Sequence, residues 1–140
     1  MVTIPELLAF ARRIAVVGLS PKPERPSHQV ARYLLAAGFE VIPVNPGLAF
    51  VLDRPCYPSL AAVPGPVDIV DIFRRPEEVP ALVREAIRIG ARAVWMQQGI
   101  VHAAAAAEAR AAGLMVVMDR CLKVEHQRLA AGILPGLGPA

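Results

Sequence analysis

The chain has 140 residues and a formal net charge of +3, a length typical of one domain and sufficient for a single core without disulfides or a structural metal. Hydrophobic residues make up 55% and charged residues 19%, which excludes a disordered chain. The thirteen arginines and two lysines are scattered, which argues against a nucleic-acid groove and leaves a small anionic ligand compatible.

No stretch approaches the roughly 18 consecutive apolar residues of a membrane span. The opening MVTIPELLAFARR has no basic region ahead of its apolar part, and Glu6 interrupts it. It predicts an amphipathic helix rather than a signal peptide. Ile14 to Gly18 is a short apolar run closed by glycine, the first strand. After a proline-rich loop, Val30, Leu34 and Leu35 form a helical stripe that stops at Gly38, and Glu40 to Val44 follows as the second strand. Residues 48–66 hold no clear period and predict a long loop with one short strand and a turn around Ser59 to Ala62.

Val67 to Phe73 is the third main strand. Val79, Leu82, Val83, Ala86 and Ile87 then follow helical spacing, with a start at Pro76 or Pro80 and a stop at Gly90. Ala91 to Met96 is the fourth strand, Ile100 to Ala112 a helix, Leu114 to Met118 the fifth strand and Leu122 to Ala131 the last helix. The run Ala103 to Ala107 reads as a small-residue helix packed close to a sheet. The tail ILPGLGPA is expected to be loose or docked as coil.

Strands alternating with helices imply βαβ units and a parallel sheet. The strands are apolar on both faces, as in a sheet covered on both sides. The expectation is one three-layer αβα domain over residues 1–140, with a Rossmann-like, doubly wound parallel sheet of five strands in order 3-2-1-4-5. Ligands in such sheets bind beyond the carboxyl ends of the strands at the switch point, here between the first and fourth strands. Loops 18–28, 44–47, 73–76 and 96–100 would surround one crevice.

The first of these loops, Gly18-Leu19-Ser20-Pro21-Lys22-Pro23-Glu24-Arg25-Pro26-Ser27-His28, is not GxGxxG. Gly18 suits a tight turn, Ser20 offers a hydroxyl and an N–H, and Ser27 suits the N-cap of the next helix. A helix N-terminus with Lys22 and Arg25 beside it attracts phosphate. The alternative is a stiff surface loop with solvated cations. The second strand ends Val44-Asn45-Pro46-Gly47, without the carboxylate that holds an NAD ribose. That favours NADP or coenzyme A, unless the segment is only a turn.

The third strand ends Phe73-Arg74-Arg75-Pro76. Pro76 keeps Arg75 extended, and one of the two arginines faces the ligand. Gln97, Gln98 and Gly99 follow the fourth strand, where neutral amides can bond a ligand's amides or ribose; Trp95 is assigned to the core. Asp68 and Asp71 lie three apart on a strand and point to opposite faces, so they form no dyad. His28, His102 and His126 show no metal spacing, and there is no GxSxG or triad pattern. Cys56 and Cys121 are far apart and in no CxxC pair, which fits a reducing cytoplasm. Cys121 follows the fifth strand near the crevice and is read as a buried, inert thiol rather than a reactive one.

The stretch VVGLSPKPERPSHQVARYLLAAGFEVIPVNP resembles the opening of the stand-alone coenzyme A-binding proteins, which are similar to the CoA-binding domain at the start of the succinyl-CoA synthetase α subunit. CYPSL, VDIVDIFRRPEEVP, VWMQQGI and DRCLKVEH resemble the same family in the same order, so the likeness covers about residues 5–130. The resemblance implies a Rossmann-like fold that binds CoA or an acyl-CoA. Gly18, Ser20 and Arg25 would hold the phosphates with Lys22 near them, and Leu19 and Ser27 of the same loop would count among the cofactor-binding residues. Val44, Asn45 and Pro46 would line the nucleotide, Phe73, Arg74 and Pro76 the pantetheine, and Gln98 and Gly99 the opposite wall. The synthetase carries its phosphorylated histidine on a second domain, and this chain ends before one. The expectation is therefore a cytoplasmic CoA binder with no catalysis of its own, no nucleic-acid or membrane partner, and no protein partner the sequence identifies. The alternatives are an NADP-dependent oxidoreductase or a CoA-binding subunit of an acyl-CoA synthetase-like complex.

Overall fold

Alternation along the first strand decides the layering. In β1 (Arg13–Val17), Ala15 and Val17 enter one core while Ile14 and Val16 enter the other, as a pleated strand buried on both faces requires. The computed structural model describes residues 2–132, so the expected coil tail lies outside the described residues. Around β1 the chain builds α1 (Ile4–Phe10), α2 (Pro26–Ala36), β2 (Glu40–Val44), β3 (Phe50–Val51), β4 (Arg54–Pro55), β5 (Ile69–Ile72), α3 (Val79–Arg88), β6 (Ala93–Met96), α4 (Ala103–Ala111), β7 (Met115–Val117) and α5 (Leu122–Ala130).

The five parallel strands run β2-β1-β5-β6-β7. This is the expected Rossmann-like αβα arrangement, with α3 and α4 over one face and α1, α2 and α5 over the other. Counting only these five strands, the order is 2-1-3-4-5 and corrects the expected 3-2-1-4-5. The third main strand, β5, lies beside β1 and not outside β2. Pro43 supplies the reason: it has no N–H to give an outer neighbour, which confines β2 to an edge. The outer side of β2 is instead met by Tyr57, whose N–H donates to Pro43 O at 3.0 Å and whose carbonyl accepts from Asn45 N–H at 2.9 Å. The switch point moves with the order, to the gap between β1 and β5.

Most elements fall where periodicity places them. Thr3 and Glu6 form a reciprocal capping box on α1. Val79, Val83 and Ala86 are buried on α3, with Leu82 and Ile87 packed against the same core. A short 3-10 turn at Pro76–Glu78 leads into α3, so both prolines mark its approach. The loop 48–66 holds more order than expected: β3 and β4 form a hairpin around Leu52 and Asp53, with φ of 53° and 58°. Two left-handed residues match the twist of a two-residue hairpin, but Leu-Asp lacks the Asn-Gly signature that would have announced it. No described helix is long and apolar enough to cross a membrane.

Asp71 breaks the apolar pattern. It stands in β5 between Val16 and Trp95 on the neighbouring strands, is fully buried, and neither carboxyl oxygen has a partner among the described residues. Burial pushes its pKa well above the ordinary 3.8, because desolvation disfavours the charged form. The folded state therefore holds a proton that the unfolded state releases, and stability contributed below pH 3.8 is lost as pH rises above it. Asp71→Asn is expected to remove this downward slope in urea unfolding measured across pH. Asp71→Val is expected to stabilise the protein at pH 7 by about 1–3 kcal/mol, the cost of an unpaired buried polar group. A pH-independent difference between Asp71→Asn and the parent chain would refute the assignment.

Candidate functional site

The turn leaving β1 sets the geometry. Gly18 has φ of +86°, a region that favours glycine. Its N–H donates to Val44 O at 2.8 Å, and a Cβ at this position would collide with the carbonyl oxygen of Phe73 and lie 2.8 Å from Arg74 Cδ. The turn is clamped between the ends of β2 and β5. Leu19 is fully buried, and its carbonyl accepts from Asn45 Nδ2 at 2.9 Å.

Beyond it the loop folds onto α2. Ser20 N–H donates to Ser27 Oγ at 3.0 Å, Ser20 Oγ accepts from Lys22 N–H at 3.1 Å, and Ser20 O bonds His28 Nδ1 at 2.9 Å. Ser27 was expected as the N-cap, but that place belongs to Arg25. Pro26, favoured at the first helical position by its fixed φ and missing N–H, starts the helix earlier. Ser27 thus becomes the second helical residue and turns its hydroxyl back to the loop. Gly18, Ser20, Lys22, Arg25, Ser27 and Phe73 border a concavity of about 310 Å³ at the α2 N-terminus. The positive end of the α2 dipole and two cations make it a place for an anion.

A second concavity adjoins it. A groove of about 530 Å³ is lined by Pro26 and Val30 of α2, Phe73 to Pro76 after β5, Gln97, Gln98 and Ile100 after β6, and Cys121. It shares Pro26 and Phe73 with the first concavity. The four loops expected around one crevice thus divide unequally. Loops 18–28, 73–76 and 97–100 line these two hollows. Val44 and Pro46 border a separate small pocket of about 130 Å³ with Gly18 and Arg74. Asn45 uses its amide to brace Leu19. A larger hollow of about 860 Å³, lined by residues such as Ile4, Leu114 and Met115 with Thr3 and Arg110 as its polar side chains, lies at the opposite end of the strands.

Several residues near these loops have partners within the protein. Arg74 donates from Nε and a terminal nitrogen to Glu78 Oε1 at 3.2 and 2.8 Å, and that guanidinium holds the Glu78 carboxyl below its usual range. Gly99 does not line the groove; its N–H donates to Asp119 Oδ1 at 2.7 Å. Asp119 itself is left-handed, φ 57°. Trp95 is fully buried, with Nε1 donating to Arg120 O at 2.8 Å. Asp68 accepts from the N–H groups of Arg12 and Arg13 at 2.8 and 2.9 Å, at the start of β1 and away from the site.

The site residues that sequence reasoning underweighted are Gln97 and Cys121. Gln97 is 4% exposed while Gln98 is exposed. The pleat carries the signal: Phe73 continues the face of Ile69 and Asp71, and Gln97 that of Ala93 and Trp95. Gln97 Oε1 accepts from Leu122 N–H at 3.1 Å, which pins the loop after β7 to the loop after β6. Cys121 was read as buried and inert; it is a free, partly exposed thiol on the groove wall. Cys56 lies elsewhere, where burial pushes its thiol pKa up.

Residues 12–127 match the family model of a CoA binding domain. The uncharacterized protein YneT of Bacillus subtilis is 43% identical over 123 residues, covering 88% of this chain and 91% of that protein. The ADP-forming acetate–CoA ligase II of Archaeoglobus fulgidus is 33% identical over 92 residues, covering 63% of this chain but only 14% of the ligase. A solved hypothetical protein from Pyrococcus horikoshii superimposes with a TM-score of 0.87 at 43% identity, covering 89% and 88% of the two chains.

The clamp on Gly18 yields a test with an internal control. Gly18→Ala forces a side chain into the left-handed region and against Phe73, and is expected to destabilise by at least about 1–3 kcal/mol. Gly47 has φ of +84° and nothing within 4 Å of a Cβ, so Gly47→Ala should cost less. Equal losses in chemical unfolding would mean that the contact with β5 contributes nothing.

Proposed function

The chain belongs to the CoA-binding domain family, and we propose that it binds coenzyme A or a CoA thioester across the carboxyl ends of β1, β5 and β6. The observation that carries this reading is the junction of two unlike hollows. A polar concavity at a helix N-terminus, flanked by Lys22 and Arg25, meets a mainly apolar groove at Pro26 and Phe73. Coenzyme A is built the same way, with a diphosphate at one point and a long, weakly polar pantetheine arm leaving it. The diphosphate sits at Ser20, Ser27 and the first turn of α2, and the arm follows the groove between Phe73 and Gln97. The nucleoside lies toward Val44 and Pro46.

In this reading Arg25 is the principal cation. It is exposed, stands at the N-cap position of α2 and borders the anion concavity. Arg74 is the weaker candidate because Glu78 already accepts two of its N–H groups. The cytoplasm, where CoA is available to a protein with free thiols, is the compartment that fits.

The test is a calorimetric panel with CoA, acetyl-CoA, dephospho-CoA, NAD and NADP. CoA and acetyl-CoA are expected to bind and to raise the unfolding temperature by mass action, and NAD is not. Arg25→Ala is expected to weaken CoA by about 1.5–3 kcal/mol, the range for hydrogen bonds to a charged group. Binding of NADP without CoA would overturn the reading, and an unaltered CoA affinity in Arg25→Ala would remove Arg25 from the site.

A further inference from the structure

The groove contains two chemically matched groups that binding alone leaves unused. Gln97 is 4% exposed and lines the groove. The N–H of Leu122 fixes Gln97 Oε1 at 3.1 Å, which settles the orientation of the amide and leaves Nε2 as the free end. Among the described residues, Nε2 has no acceptor. Nε2 is not among the fully enclosed polar atoms without a partner, so it stays open at the groove wall, where an acceptor atom of a ligand can meet it. The Cys121 thiol lines the same groove, one residue before the N–H that holds Gln97. It sits at the N-cap of α5, a helix of nine residues, and makes no capping bond. A nucleophile and a hydrogen-bond donor thus line the same groove.

We propose that Cys121 accepts the acyl group of a CoA thioester bound in this groove. The inference rests on the CoA reading above and adds an acyl exchange to it. The thioester carbonyl oxygen takes the hydrogen bond from Gln97 Nε2, which stabilises the negative charge that develops there as the carbon is attacked. The Cys121 sulfur bonds to the carbonyl carbon, and the bond from that carbon to the CoA sulfur breaks. The thiol proton of Cys121 passes to the departing CoA sulfur. One thioester replaces another, so no oxidant, reductant or additional energy source is required. The products are free CoA and an S-acylated protein. Cys56 provides the contrast within the same chain: it is absent from the groove, and its thiol donates to Asn45 O at 3.5 Å.

Intact-mass measurement of the full chain incubated with acetyl-CoA tests this. One acetyl group is expected on the protein, located on Cys121 by peptide mapping, removed by neutral hydroxylamine, and retained in Cys56→Ala. Cys121→Ala is expected to abolish it. Gln97→Glu keeps an oxygen for Leu122 but removes the donor, and Gln97→Met keeps the volume but removes both. Each is expected to slow acylation about a hundredfold, the effect of losing one oxyanion donor, with folding verified by thermal unfolding. If CoA raises the unfolding temperature but no adduct forms, if the adduct forms on Cys56, or if both Gln97 variants acylate at the parental rate, the proposal is wrong while the binding reading stands. If neither CoA nor acetyl-CoA shifts unfolding, the binding reading fails and takes the proposal with it.

Discussion

A side chain at position 18 would meet the carbonyl of Phe73, and much of the site follows from that contact. With no Cβ, Gly18 can turn left-handed at the end of β1 while its N–H stays bonded to Val44. The chain then crosses directly over the end of β5. The polar loop and the β5 exit are thereby held side by side, and the concavity at the α2 N-terminus and the groove share Pro26 and Phe73 as a border. Asn45 braces the turn from the β2 side through Leu19, and Ser27 braces it from α2 through Ser20. The loop is therefore ordered by its own hydrogen bonds, which lowers the entropic cost of organising it around a ligand.

The sheet order has an equally local origin. Pro43 cannot donate to a strand outside β2, and Tyr57 occupies that side with an N–H to Pro43 and a carbonyl to Asn45. β5 joins β1 instead, and the switch point opens between them. Had β5 lain outside β2, Phe73 could not reach Gly18 and the two hollows would not share a border. The groove's other wall depends on ties between loops far apart in sequence: Gly99 to Asp119, Trp95 to Arg120 and Gln97 to Leu122. These bonds place Cys121 beside Gln97.

Buried polar groups near the carboxyl ends divide into two kinds. Ser27, His28 and Gln97 each bond backbone or loop groups that shape the site. Asp71 bonds none of the described residues and sits one pleat beneath Phe73 in a layer otherwise packed with residues such as Val16 and Trp95. Its cost is borne by the folded state at neutral pH, since the carboxyl must stay protonated or lie charged in an apolar layer. The two apolar cores and the five paired strands surround this residue in the central strand.

The sequence by itself determined the main strands and helices and the parallel αβα class, and it marked 18–28 as the loop where cations meet a helix start. Those rest on local signals: hydrophobic period, glycine and proline positions, and the cations beside a helix start. It also contained the signal for the strand order, in Pro43, and for Gln97 facing inward, in the pleat. The tertiary structure alone decided which partners these side chains have within the protein. Arg74 bonds Glu78 and Asn45 bonds the Leu19 carbonyl, and the Gly99 N–H bonds Asp119. Cys121 looks like an ordinary core thiol until Gln97 is seen to anchor the residue after it. The physical reason is that period and propensity are properties of neighbouring residues. The partner of a hydrogen bond is set by strand order and loop packing, which bring together positions that the chain keeps 25 residues apart.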